Sequence, residues 1–219
     1  MIISFDKERN MKKIAFTFLM LCASMLQARF YLGVEGGYTV QDIPSIQTKG
    51  KGIEFHTIPL NTFKDGATGY NISLTLGSES FFGRYFGLRW GLSTGYSSTE
   101  REFKENGKER EDEIRSILAD MSVDMILNVV NTGNFALGFF GGAGANYQYF
   151  TSSTDPQFHA FGFNGRVGVT TLLADHHRIE LFAKIPFMDL SSKIIPSDKN
   201  AFVSSAQHIS LLVSYKIVF

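Results

Sequence analysis

Cysteine is almost absent from this chain: the single one is Cys22, inside an N-terminal apolar segment. That excludes a disulfide framework and a cysteine-built metal site. A lipid anchor on Cys22 would need a small residue before it, and Leu21 stands there. Proline is scarce, 5 in 219 residues, which excludes proline-rich linkers. Neither sign of charge is in excess, because 21 basic and 21 acidic residues cancel. A general nucleic-acid binder carries a basic excess, so that class is disfavoured. No glycine-rich phosphate loop joins a strand to a helix. Beyond the N-terminal segment no apolar run reaches the roughly 18–20 residues of a membrane-spanning helix. If the chain crosses a membrane, it crosses with strands.

The N-terminal segment has the form of a leader. Residues 11–28 read MKKIAFTFLMLCASMLQA, with Lys12 and Lys13 before the apolar run Ile14–Leu21 and a small residue, Ala28, at the end. This is signal-peptide form. The expected organisation is an upstream extension and signal peptide over 1–28, then one domain over 29–219.

Glycine, at 21 residues, and aromatics, at 14%, are plentiful. They are arranged with a period of two. A transmembrane strand needs about 9–11 residues, apolar on the lipid face and polar or small on the other. Eight segments fit: 30–40, 67–77, 85–97, 115–128, 135–149, 160–173, 178–188 and 206–219. In the first, Phe30, Leu32, Val34 and Tyr38 alternate with Tyr31, Gly33, Glu35, Gly37 and Thr39. The fourth also fits a helical stripe through Ile114, Ile117, Leu118, Met121 and Met125; its cleaner alternation and its neighbours favour a strand. The connections alternate long and short, the asymmetry of outer-membrane barrels, whose periplasmic turns are short and external loops long. Tyr38, Tyr70, Tyr96, Tyr147 and Tyr149 fall at the outer rim, and Phe30, Phe81, Phe82, Phe86, Phe135 and Phe219 at the inner rim. The predicted fold is all-β: an eight-stranded antiparallel up-and-down transmembrane β-barrel. Val167 and Leu211 are expected to face lipid near mid-membrane.

The inward parity carries Glu35, Arg89, Asp120, Asp124, Arg166, Arg178, Glu180, Lys184 and Lys216. Eight strands enclose a space that side chains can fill. Unpaired charges there would be very costly, so a salt-bridged plug is expected, ahead of a narrow ion path or a catalytic cluster. The basic members outnumber the acidic ones, so some need another acceptor. His208 and Ser210 match the His-x-Ser spacing of lipid A-modifying barrels, but their parity is inward, away from lipid. His176 and His177 read as turn residues rather than metal ligands. The charged loop at 98–113 reads as a solvated hairpin tip. No cofactor is implied.

Two stretches carry a resemblance. HISLLVSYKIVF, ending in Phe219, resembles the terminal-strand signal read by the barrel-assembly machinery, with Tyr215, Ile217 and Phe219 on one face. FNGRVGVTTLLADHHRIELFAKIPF, residues 163–187, resembles the Helicobacter outer membrane protein family through Gly165, Arg166, His176, His177, Glu180, Lys184, Ile185 and Pro186. FYLGVEGGY at 30–38 is similar to that family's first mature strand. The resemblance implies an integral protein of a Gram-negative outer membrane, in a family that includes adhesins and porins. Expected partners are outer-membrane lipid and lipopolysaccharide, the assembly machinery, and a host or surface ligand; nucleic acid is not among them. The chain lacks the large N-terminal extracellular domain of the adhesive members. The expected function is a membrane scaffold or surface-interaction protein; a narrow porin-like channel is the alternative, and a lipid A-modifying enzyme a more distant one.

Overall fold

The computed structural model describes residues 28–42, 53–55, 67–105, 108–152, 158–191 and 207–219. The leader expected over 1–28 lies outside them except for Ala28. Each segment with a two-residue period is a strand, because alternation lets one face meet lipid while the other fills the interior. The strands are β1 (Arg29–Asp42), β2 (Ile53–Phe55), β3 (Ala67–Phe82), β4 (Phe86–Glu105), β5 (Lys108–Asn131), β6 (Phe135–Ser152), β7 (Phe158–Leu173), β8 (His177–Ser191) and β9 (Gln207–Val218). The fourth predicted segment is the strand β5, not a helix.

The eight long strands pair antiparallel in sequence order, and β9 pairs with β1 to close the barrel. Its register can be walked. From Arg29 the directly paired residues are Glu79, Arg89, Asp124, Gly142, Arg166, Lys184, Ser210 and then Thr39, ten residues further along β1. A stagger of that size over eight strands corresponds to a tilt of about 40°. At roughly 3.3 Å per residue, it gathers Tyr38, Tyr70, Tyr96 and Tyr147 into one ring and Phe30, Phe82, Phe86, Phe135 and Phe219 into another, about 25 Å apart. Phe81 departs from the expected inner ring: it turns inward and packs on the interior cluster of Ile126, Phe140, Phe182 and Leu212. Leu211 is directly paired with Tyr38, nearer the outer ring than expected, and Val213 takes the mid-membrane level with Val167.

Between the rings the outer surface is almost entirely apolar, and the exposed Thr94 turns its hydroxyl to Leu118 O at 3.1 Å. Leu32, Val34, Leu74, Met121, Val123, Phe139, Val167, Leu181 and Val213 point outward and are exposed. A continuous apolar belt of this extent needs an apolar solvent. Three turns, 83–85, 132–134 and 174–176, lie at the inner end with both termini of the barrel. Two bulges mark the wall: Val129 is the extra residue where Asn128 pairs Gly138 and Val130 pairs Leu137. Phe187 is the extra residue beside Pro186, which has no N–H to give the ladder.

Two features go beyond the eight segments. The β4–β5 ladder continues to Glu105↔Lys108, so this hairpin stands well above the outer ring as a two-stranded ribbon. The β8–β9 ladder ends at Lys184↔Ser210. Above that point β2, from the segment between β1 and β3, pairs with β8 at Met188–Leu190.

Candidate functional site: the charged lumen

The lumen is filled in layers. At the inner mouth, Arg29, Arg84, Asn131, Asp175, Phe81 and Leu172 line a cavity of about 420 Å³. Its floor is the buried cluster of Tyr31, Ala136, Leu172 and Val218. Above it, Arg178 donates from Nη2 to Glu79 Oε1 at 2.8 Å and from Nη1 to Thr170 Oγ1 at 2.8 Å. Glu79 is missing from the set read in the sequence. Its polar neighbours Ser78 and Ser80 hide the alternation, so that reading stops the segment at Gly77. A signal is present all the same: Thr75, Gly77, Glu79 and Phe81 keep one parity, and Glu79 pairs directly with Arg89. With Glu79 the interior holds five acidic and five basic side chains among the described residues.

Arg89 is the hub. It donates to Asp124 Oδ2 from Nε at 3.1 Å and Nη2 at 2.8 Å, and from Nη1 to Glu180 Oε1. Its guanidinium also lies 4.7 Å from the centre of the Phe140 ring. Glu180 further accepts from Lys216 and, at 2.9 Å, from Thr170 Oγ1. Arg166 donates to Ser122 Oγ and sits 3.6 Å from Asp124 Oδ1, with its guanidinium 5.0 Å from the Phe182 ring centre. Glu35 is held differently. Arg166, Lys184 and Lys216 each approach it at 3.7 Å, and neither carboxylate oxygen has a hydrogen bond. Lys184 is also 3.7 Å from Asp120, which accepts from Asn164 Nδ2 at 3.0 Å.

Above this network lies a cavity of about 40 Å³, lined by Asn71, Ser73, Asp120, Asn146, Gln148, Asn164, Lys184 and Ser210. That is room for a few waters. The buried apolar residues Ile114, Phe150 and Ala160 roof it.

Glycine makes the close approach of Asp124 and Arg166 possible. The row runs Asp124, Gly142, Arg166, so Gly142 is the gap between them. A Cβ at Gly142 would meet Asp124 Oδ1 and the Val123 carbonyl. Gly142→Ala is expected to destabilise the barrel by about 1–3 kcal/mol, the usual range for overpacking. The urea midpoint in detergent micelles measures it, and a wild-type midpoint would contradict the placement.

The other residues singled out in the sequence are engaged elsewhere. Ser210 shares a 2.9 Å hydrogen bond with Thr39 Oγ1 inside the wall; the His208 side chain lies outside the described residues. His176 and His177 go separate ways, to Val218 O and Tyr215 Oη. Among the described residues no group of three His, Cys, Asp or Glu could hold a metal ion. On the ribbon, Glu113 accepts from Arg115 at 2.7 Å and 2.9 Å and from Ser98 at 2.8 Å. The Arg115 bonds, then that from Ser98, hold the Glu113 carboxyl below its ordinary range.

The profile of the family described as Helicobacter outer membrane protein matches residues 73–219. No curated protein matches the chain. Similar solved structures include a major outer membrane protein from Thermus thermophilus, 12% identical with a TM-score of 0.47, covering 88% of this chain and 99% of that one. Neisserial surface protein A is 10% identical with a TM-score of 0.45, covering 87% and 97%. The attachment invasion locus protein Ail of Yersinia pestis is 12% identical with a TM-score of 0.37, covering 86% and 98%.

Proposed function

Because the chain belongs to the Helicobacter outer membrane protein family and so resides in the bacterial outer membrane, we propose that it is a closed transmembrane scaffold that presents surface loops to ligands. The observation that carries this reading is the lumen. Its five acidic and five basic side chains are almost wholly buried and span most of the distance between the aromatic rings. Paired charges at that density leave no continuous water column. What remains for interaction is the outer end, where the β4–β5 ribbon rises above the membrane. Lipid surrounds the belt, lipopolysaccharide meets the outer ring, and a host or surface ligand meets the ribbon and loops.

Maturation is part of the same reading. The leader is removed near Ala28, and the assembly machinery reads the outward face of β9, where Tyr215, Ile217 and Phe219 are exposed side by side. N-terminal sequencing of membrane-extracted protein is expected to begin near Arg29.

Conductance recording in a planar bilayer tests the closed scaffold. The expected result is no steady current above baseline; a wide, stable conductance overturns it. A narrow pore is the second reading. Glu35 favours it, since three cations stand 3.7 Å from a carboxylate without hydrogen bonds, just below the outer cavity. Under that reading wild-type protein carries a small steady current, and Glu35→Ala enlarges it. A lipid A-modifying reaction has less support, because Ser210 faces Thr39 within the wall.

A further inference from the structure

The turn between β7 and β8 is unlike the other inner turns. His176 N donates to Leu173 O at 3.2 Å, and both central residues are left-handed, Ala174 at φ 49° and Asp175 at φ 60°. This is the mirror-image turn that suits hairpins, but such turns usually use Asn-Gly, because a Cβ makes the conformation costly. Ala and Asp hold it here because contacts from outside the turn fix it. Ala174 N donates to Asn134 O of the preceding inner turn at 2.7 Å. The Arg29 guanidinium, from the start of β1, donates to Asp175 O.

The next two residues grip the last strand. His176 donates from Nδ1 to Val218 O at 2.8 Å, while its own carbonyl accepts from Val218 N at 2.8 Å. His177 Nδ1 lies 2.7 Å from Tyr215 Oη, and the two rings stack with centroids 6.0 Å apart at 18°. One residue beyond Val218, Phe219 N donates to Phe30 O at 2.8 Å, which ties the end of β9 to β1. One strained turn thus touches both partners of the closing seam.

We propose that Ala174–His177 is a latch that captures the terminal strand and closes the barrel in register, with His176 and His177 as its positioning residues. The β1–β9 seam joins the two ends of the barrel, so it forms against the largest loop-closure entropy of any strand pair. The β8–β9 hairpin has a long connection, so its turn cannot set the register. A fixed contact at Val218 does: once Val218 is held by His176, Lys216 falls opposite Arg178 and Ser214 opposite Glu180 on β8. The Phe219–Phe30 bond carries that register to β1, with Lys216 opposite Gly33. A slip of one residue would send Lys216 to the lipid face.

Refolding from urea into phosphatidylcholine vesicles tests this without any assembly machinery, so the outcome is independent of how the terminal strand is recognised in the cell. Trp90 is the single tryptophan and points outward, so its fluorescence follows insertion. Resistance to cold SDS on a gel follows closure. Replacing both histidines by alanine is expected to leave insertion unchanged and to slow closure about tenfold, the factor that roughly 1.4 kcal/mol makes. His177→Phe keeps the ring stack and is expected to close faster than His177→Ala; this comparison decides if the double variant does not insert. Asn131→Ala, at the inner end of β5, is expected to close at the wild-type rate. Wild-type closure in the double variant, equal slowing by Asn131→Ala, or identical rates for His177→Phe and His177→Ala would each overturn the latch.

Discussion

Arginine in place of Val213 is expected to lower barrel stability by about 2–4 kcal/mol, while arginine in place of Phe135 costs about 1 kcal/mol or less. The two sites share an orientation and differ in depth. Val213 is 55% exposed on the outer face of β9, between Gly36 of β1 and Leu181 of β8, and lies about midway between the aromatic rings. A guanidinium there must leave water for hydrocarbon or thin the bilayer around itself. Phe135 opens β6 at the inner ring, where an arginine can extend its charged end to the headgroups. Val167 lies at the depth of Val213 two strands away, on β7, and is expected to behave like it. Urea unfolding in phospholipid vesicles measures all three. Equal losses at Val213 and Phe135 would place the belt at the wrong depth. A negligible loss at Val213 would mean that β9 is shifted by one residue.

The strands are legible in the sequence because the wall imposes a period of two on both faces at once, and lipid keeps the outward face apolar. The alternation of long and short connections, with the aromatic placement, then shows which end is which. Legibility fails where inward residues are themselves apolar. Ile126, Phe140, Phe182 and Leu212 are buried inside the barrel, yet nothing in a stretch such as Ser210–Ser214 separates inward Leu212 from outward Leu211 and Val213 except parity. Glu79 is hidden for the opposite reason, the polar residues Ser78 and Ser80 on either side of it. The partners of the lumen charges are not legible either. They depend on the ten-residue stagger, which brings Glu180 of β8 to Arg89 of β4, 91 residues away. A stagger is a property of closure, and closure has no local signature. The same holds for β2 and for the strained turn at Ala174 and Asp175, whose conformation is set by contacts with Arg29 and Asn134 rather than by the turn's own residues.

Glu180 is where the lumen is most sensitive. Its side chain is fully buried and accepts from Arg89, Lys216 and Thr170 together. Arg89 would keep Asp124 if Glu180 lost its charge, through contacts of 2.8 Å and 3.1 Å. Lys216 would keep Glu35, at 3.7 Å, and the Tyr31 ring, whose centre is 5.3 Å from its ammonium. Glu180→Gln is therefore expected to destabilise the barrel by about 3–5 kcal/mol, the range for removing one partner of a buried pair, because the buried Lys216 ammonium loses its hydrogen-bonded carboxylate and keeps only longer contacts. Removing that ammonium as well should recover much of the loss. Glu180→Gln with Lys216→Met is expected to be more stable than Glu180→Gln alone, with a coupling of about 1–3 kcal/mol in a double-mutant cycle. Urea midpoints in vesicles give the cycle, and bilayer recording of the same proteins links it to function. If the ion pairs are the plug, Glu180→Gln should flicker open where wild type is silent, since a Lys216 without its hydrogen-bonded carboxylate draws water into the lumen. Additive effects of the two substitutions would show that Glu180 and Lys216 act separately. A silent Glu180→Gln barrel of reduced stability would move the closure to the apolar layers at Phe140, Phe182 and Phe150.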